Sequence, residues 1–278
     1  MNIKFSVLMS LYVKENALFL EQCFVSIWDK QNIKPNEIVL VLDGPIGADL
    51  LKCLERWKNL IGDTLLIVPL LKNIGLGKAL NEGLKHCTNE WVFRMDTDDI
   101  CVPDRFEKQI QFIKKYPKVT LFGGQILEFN DKPSDANILK SVPVNHSVIV
   151  DTAQKRCPFN HMTVAYKKSV IQAVGGYQHH HFMEDYNLWL RVIAAEHQVA
   201  NLPDVLLYAR VGNGMHARRK GFEYIKSEKQ LLDLKKQLKL QKPLHANMLF
   251  LIRSALRLLP ITLLSKFYNA FLRKKVIK

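Results

Sequence analysis

Residues 90–99 read "EWVFRMDTDD": an apolar run through Trp91, Val92, Phe93 and Met95, interrupted by Arg94 and followed by Asp96, Asp98 and Asp99. A run this short and apolar predicts a buried strand. Three carboxylates in four positions at its end repel one another and lose hydration, so a cation or a set of hydrogen-bond donors must balance them. Asp96 and Asp98, one residue apart, can bracket a small hard cation while sugar or phosphate oxygens complete its shell. An aspartate-rich turn capping a helix that starts near Pro103 would carry the same letters. An EF-hand is excluded, because the glycine and the distal glutamate of that loop are missing.

The run is the fourth of a series. "FSVLMSL", "EIVLVLD" and "TLLIVPL" precede it, and the stretches between carry apolar residues at helical spacing, as with Leu18, Cys23 and Ile27 or Leu80, Leu84 and Cys87. Alternating strand and helix predicts an α/β fold, a Rossmann-like and mostly parallel central sheet with right-handed crossovers and flanking helices. Ligands of such sheets sit beyond the carboxyl ends of the strands, where Asp43 and Asp96 fall. "KNIGLGKALNEGL" puts Gly75 and Gly77 at a helix start, where exposed N–H groups suit a phosphate or where glycine simply caps the helix. It is neither a Walker loop nor Gly-x-Gly-x-x-Gly, so P-loop and dinucleotide readings lose support.

Beyond residue 117, "KVTLFGGQILEF" and "MTVAYKKSVIQAVGGY" predict further strands and a short helix, and "MEDYNLWLRVIAAE" predicts a helix. A carboxylate of Glu184 or Asp185 at its start would serve as a general base or complement the helix dipole. Three histidines at 179–181 point different ways in an extended loop and read as loop composition rather than as a metal site.

At 278 residues and 48% hydrophobic, the chain can build one large core or a core with an appendage. Its formal net charge of +14 is lopsided: residues 215–278 hold 16 Lys+Arg against 3 Asp+Glu, whereas residues 1–214 hold 24 against 23. In "NMLFLIRSALRLLPITLLSKFYNAFLRKK", Arg253 and Arg257 share a helical face among leucines and phenylalanines. Such a segment lies in a bilayer surface with its basic residues toward anionic lipid, or packs on the rest of the chain as an ordinary amphipathic helix. Leucine rather than stacking aromatics is interleaved with the charges, which disfavours nucleic acid. No stretch reaches the roughly 18 uncharged apolar residues of a spanning helix, and "FSVLMSLYV" reads as a strand rather than a signal peptide. Five cysteines, odd in number and without a Cys-x-x-Cys pair, argue for a reducing compartment and against structural zinc.

Taken in order, "SVLMSLYVKEN", "EIVLVLDGP", "NIGLGKALNEGL", "RMDTDDI", "VPDRFEKQ", "NHMTVAYKKSVIQAVGGY", "MEDYNLWLR" and "YARVGNGMHARR" resemble the family 2 inverting glycosyltransferases. The similarity is to the bacterial O-antigen, capsule and exopolysaccharide branch, with its amylovoran-type enzymes, and it covers residues 3 to 225. It implies an A-type nucleotide-sugar-binding fold, a UDP-sugar donor and a divalent cation, Mn2+ or Mg2+. It also implies transfer of a hexose, glucose or galactose, to an undecaprenyl-diphosphate-linked saccharide. Carried over by position, Ser10, Tyr12 and Glu15 would line the nucleotide end of the first strand, and Asp43 would contact uracil. Asn73, Gly75 and Lys78 would cover the base and diphosphate. Asp96 would face the ribose and share the metal with Asp98, with Asp99 supporting their loop. Asp185 would be the base, and His161, Glu184, Trp189 and Arg191 would shape the acceptor side. Many members carry an arginine two residues after the position of Lys78, where this chain has Leu80.

The implied organisation is a catalytic domain over 1–214, with a nucleotide-binding half over 1–117 and an acceptor-binding half over 118–214. A basic helical tail follows over 215–278. The implied location is cytoplasmic, peripheral on the inner face of the cytoplasmic membrane. A metal-dependent nucleotidyltransferase is the rival, since it too gathers carboxylates around ions.

Overall fold

Strand β1, Phe5–Leu11, turns Phe5, Val7, Met9 and Leu11 to one side of the molecule and Leu8 to the other. A strand buried on both faces belongs inside a parallel sheet covered by helices on each side. The computed structural model, which describes residues 3–211, 222–257 and 274–275, shows that arrangement. Strands β1, β2 (Glu37–Leu42), β3 (Leu65–Pro69) and β4 (Trp91–Arg94) run parallel in the order β4-β1-β2-β3. Helices α1 (Ala17–Ile27) and α2 (Ala48–Ile61) pack into the first core with Leu20, Cys23, Phe24, Leu54 and Trp57, while α3 (Leu76–His86) closes the opposite face with Leu80 and Leu84. The buried stripe of α1 starts at Leu20; Leu18, expected to share it, is 61% exposed. Asn16 caps that helix, its Oδ1 accepting the Leu18 N–H at 2.8 Å.

The second half adds antiparallel neighbours to the same sheet. Strand β8 (Ala165–Lys167) pairs antiparallel with β4, and β6 (Leu121–Phe129) pairs antiparallel with β8 and β7 (Ile138–Lys140). A twelve-residue strand, β9 (Val199–Arg210), lies parallel to β6 and carries the two-residue β5 (Ile100–Cys101). Strand β10 (Lys274–Lys275) pairs with β7 at the far edge. The sheet is thus parallel where the repeating pattern was legible and mixed beyond it. Helices α4 (Arg105–Lys115), α5 (His146–Ala153), α6 (Lys168–Ala173) and α7 (Glu184–Ala194) complete the layers.

Helix α8 (Phe222–Gln237) buries Tyr224 and Leu231 in the second core beside α7, and α9 (Pro243–Arg257) lies on α8. Arg253 is fixed there, its Nε and Nη2 donating to the two Glu228 oxygens at 2.6 and 2.9 Å and its Nη1 to the Lys155 carbonyl. The expectation that Arg253 faces lipid is therefore corrected: a partner carboxylate in the protein takes the guanidinium. The Arg257 side chain, the 214/215 boundary, the end of the "YARVGNGMHARR" motif and residues 258–273 lie outside the described residues. Among the described residues no helix is long and apolar enough to cross a membrane.

Candidate active site

Register brings the carboxyl ends of the parallel strands to one edge: Leu11 pairs with Leu42, Leu42 with Pro69, and Leu8 with Arg94. Asp43 follows β2 there, its N–H donating to the Leu11 carbonyl at 2.7 Å. Its carboxylate accepts the Ile74 N–H at 2.7 Å and the Gly75 N–H at 3.1 Å, so it holds the loop that leads into α3. Gly44 makes this approach possible. Its φ is +90°, and a Cβ on it would stand 2.6 Å from the Asn73 nitrogen. Asn73 and Lys78 are exposed around the half-buried Gly75, which is the N-cap of α3 and supplies no side-chain cap. The remaining N–H groups of that first turn have no intrahelical acceptor, as at any helix start. Ser10, Tyr12 and Glu15 lie half-buried at the end of β1. Leu80 is wholly buried in the second core, where no arginine would fit without a partner.

The carboxylates after β4 form a true cluster. One oxygen from each of Asp96, Asp98 and Asp99 lies within 4.8 Å of the others. They do not cap α4, whose N-cap is Asp104, so the helix-capping alternative fails. Arg94, buried beneath them, pairs with Asp96, and its carbonyl accepts from Arg105 Nη2 at 2.6 Å. Asp99 Oδ1 accepts the Arg210 N–H at 2.9 Å, while its Oδ2 is buried with no hydrogen-bond partner among the described residues. Burial, then the Asp96 charge, pushes the Asp98 carboxyl up to about 6, against the pull of Arg94 and Arg210. Burial and the charges of Asp96 and Asp98 push Asp99 well above the usual carboxylate range, against the pull of the Arg210 N–H and Arg94. Two guanidinium groups thus fall short of balancing three carboxylates. Hard oxygen donors, an orphaned buried oxygen and surplus negative charge fit a divalent cation of the Mg2+ or Mn2+ type.

Glu184 and Asp185 occupy the first turn of α7. The two halves of the site touch here: a Cβ on Gly77 of α3 would be 3.3 Å from both Glu184 Cγ and Tyr177 Cβ. Burial raises the Glu184 carboxyl, with the neighbouring Asp185 adding to the shift. Cys157 Sγ lies 3.6 Å from Asp185 Oδ2, and burial followed by that carboxylate pushes the thiol far up. His161 Nε2 is 2.8 Å from the Tyr177 hydroxyl; burial and the Arg94 charge keep the imidazole neutral well below its usual range. Arg94 therefore acts on both sides, pairing with Asp96 and facing His161 and Tyr177.

Trp189 and Arg191, expected to shape the acceptor side, are both buried. Trp189 is fully buried edge-on to Phe159, His161 and Tyr177. Arg191 donates to Asn187 Oδ1 and to the Val174 and Gly176 carbonyls, which fixes the left-handed Gly175–Gly176 turn ahead of Tyr177. Tyr177 is pinned from α3 as well, Asn81 accepting its N–H and donating to its carbonyl, both at 2.8 Å. Sequence reasoning passed over Arg94, Asn81, Tyr177 and Arg210. Arg94 and Arg210 had a signal, since each is an arginine inside a quoted motif at a strand end.

Comparison with known proteins follows the same lines. The family described as glycosyl transferase family 2 matches residues 6–175. The chain is 51% identical over 272 residues to an uncharacterized glycosyltransferase of Haemophilus influenzae, covering 98% of this chain and 100% of that one. It is 48% identical over 265 residues to the amylovoran biosynthesis glycosyltransferase AmsE of Erwinia amylovora, covering 95% and 98%. Over 275 residues it is 34% identical to the UDP-Gal:alpha-D-GlcNAc-diphosphoundecaprenol beta-1,3-galactosyltransferase of Escherichia coli, covering 99% and 97%. Among solved structures, S. aureus TarS 1–349 in complex with UDP-GlcNAc superposes with a TM-score of 0.67 at 18% identity, covering 97% of this chain and 73% of that one. The mannosyltransferase PcManGT from Pyrobaculum calidifontis, in complex with GDP-Man and Mn2+, gives 0.62 at 19%, covering 96% and 75%.

Proposed function

The chain belongs to glycosyl transferase family 2 and has an A-type glycosyltransferase fold, and on that premise we propose a donor, an acceptor and a set of site residues. The donor is a UDP-hexose, UDP-glucose or UDP-galactose. The acceptor is a saccharide on a lipid diphosphate of the undecaprenyl kind, in O-antigen, capsule or exopolysaccharide assembly. The names of the E. coli and Erwinia relatives support these choices. The observation that supports the reading is the contact of Gly77 in α3 with Glu184 in α7, which brings the first turns of the two helices together.

In this reading the acceptor hydroxyl attacks the anomeric carbon, its proton passes to the Asp185 carboxylate, and the bond from that carbon to the UDP oxygen breaks. One displacement inverts the configuration. Asp43 holds the loop of Asn73 and Gly75 over the base and diphosphate, and Lys78 offers its ammonium from the first turn of α3. Ser10, Tyr12 and Glu15 line the nucleotide, and Asp96 reaches the ribose. A divalent cation held by Asp98 and Asp96 would neutralise charge on the departing diphosphate. His161 and Glu184 border the acceptor. Residues 1–117 then form the nucleotide half, 118–214 the acceptor half, and 215–278 a basic segment applied to the cytoplasmic face of the membrane.

The test is UDP release by the purified protein with Mn2+ across a panel of UDP-sugars, with and without a lipid-diphosphate-GlcNAc analogue. Release should require the acceptor, select one sugar and stop with EDTA. Asp185→Asn should slow it by roughly 10²–10⁴-fold while the protein stays folded. Wild-type turnover in that variant would remove Asp185 from the base role.

A further inference from the structure

Arg210 closes β9, the strand that the acceptor half lends to the sheet, yet most of its contacts lie elsewhere. Its Nε donates to the Asp98 carbonyl at 3.1 Å and its Nη2 to Gln22 Oε1 on α1 at 2.7 Å. Nη1 reaches the Asp131 carbonyl beyond β6 at 3.4 Å. The guanidinium carbon also lies over two rings, 3.7 Å from the Phe19 centroid and 4.6 Å from that of Phe129. Its main-chain N–H meanwhile holds Asp99 Oδ1. One planar side chain therefore ties the peptide that carries Asp98 to α1, β6 and β9. A planar fork held against aromatic rings is rigid in a way that a lysine ammonium is not.

We propose that Arg210 is a positioning residue for the cation site, fixing the Asp98–Asp99 peptide so that the carboxylates of Asp96 and Asp98 converge on a divalent ion. Arg210 touches neither the ion nor the substrate. Through it, the acceptor half sets the geometry of the donor half. The inference rests on the proposed cation role of Asp96 and Asp98.

Coulomb's law and positioning predict opposite signs. Removing a positive charge this close to the cluster, by itself, favours a cation and tightens its binding. Loss of positioning weakens it. The experiment is a Mn2+ titration of the full chain with saturating UDP, followed by the electron paramagnetic resonance signal of the free ion, on wild type, Arg210→Gln and Arg210→Lys. Both variants should bind Mn2+ about tenfold more weakly, with UDP affinity in EDTA unchanged and the unfolding transition intact. Lysine should not rescue, because it keeps the charge but not the fork. Unchanged or tighter Mn2+ binding by folded Arg210→Gln would overturn the proposal. Should that variant not fold, Gln22→Ala decides, since it removes only the Nη2 anchor. It should weaken Mn2+ binding in the same direction by about threefold, and an unchanged affinity would count against the proposal. No Mn2+ uptake by the wild type with UDP would sink the cation role itself, and this inference with it.

Discussion

The imidazole of His180 sits between α7 and α8 with no exposed surface, while His179 and His181 on either side of it are exposed. Its Nε2 is 2.8 Å from the Ser227 carbonyl, which can only accept, so that nitrogen carries the proton. Nδ1 then accepts from Asn187 Nδ2 at 3.2 Å, and Asn187 Oδ1 accepts from Arg191 Nε. Burial lowers the pKa, opposed by the Ser227 carbonyl, Glu228 and Asp185 and helped by His179. A histidine neutral in the fold but free to protonate when unfolded, near pH 6.5, makes the unfolded state the stronger proton binder. Stability is therefore retained above that pH and falls as the pH drops through it. His180→Gln should lower the melting temperature at pH 7.5, the loss of a buried hydrogen bond costing about 1–3 kcal/mol, and should flatten its decline between pH 7.5 and 5.5. Melting curves that shift in parallel would contradict this. The sequence reads the three histidines as loop composition with side chains pointing different ways, whereas the structure buries the middle one. Which of them turns inward depends on a carbonyl 47 residues downstream, and no local pattern carries that. The aspartate cluster is the opposite case: its three carboxylates are local, while its second arginine lies 112 residues from Asp98 and stays invisible until the strands are paired.

Loops between elements obey a related rule, legible where a short-range constraint fixes them. Gly44 is such a point, because the end of β2 and the 72–75 loop approach there too closely for a side chain. Gly44→Ala should push the loop outward, break the Asp43 bonds to Ile74 and Gly75, and weaken UDP binding by about tenfold. The left-handed φ alone costs alanine on the order of 1–3 kcal/mol, so calorimetry should be read beside a melting curve. Gly47→Ala is the control, since a Cβ there meets nothing within 4 Å and its φ is an ordinary −73°. Equal UDP affinity in both variants would show that the loop does not depend on this approach. The first four strands and the helices between them announce themselves by period, because each is buried by neighbours close in sequence. Strand β9 does not. Its register against β6 shifts between Gly123 and Gln125, where Leu202, Pro203 and Asp204 interrupt the apolar run. A bulge holding proline and aspartate reads locally as a loop, and only pairing with β6 makes it a strand.

Charge divides the chain near residue 214, but packing does not follow it. The excess of 16 Lys+Arg over 3 Asp+Glu in residues 215–278 is plain from composition. Composition cannot show that Tyr224 and Leu231 enter the second core, or that Arg253 and Glu228 pair with the Glu228 side chain almost wholly buried. Glu228→Ala would leave that arginine without its carboxylate, and breaking a buried pair costs about 3–5 kcal/mol, so its melting temperature should fall clearly. Among the described residues, the opposite side of α9 has no such partner. Ala246 and Arg253 point inward, whereas Leu244, Met248, Leu251 and Ile252 are 83%, 51%, 65% and 50% exposed. At 100° per residue these four share one face. An apolar stripe on a segment this basic suits an anionic bilayer surface, with each nearby Lys or Arg adding on the order of 1 kcal/mol. The inner face therefore serves the fold, and the outer face is the one a bilayer surface would meet. Leu251→Glu with Ile252→Glu should abolish cosedimentation with phosphatidylglycerol vesicles and leave the melting temperature unchanged. Glu228→Ala should do the reverse, losing stability while its folded fraction still binds. Vesicle binding by the double variant equal to wild type would take the outer face of α9 out of the membrane and leave docking to the remaining basic residues.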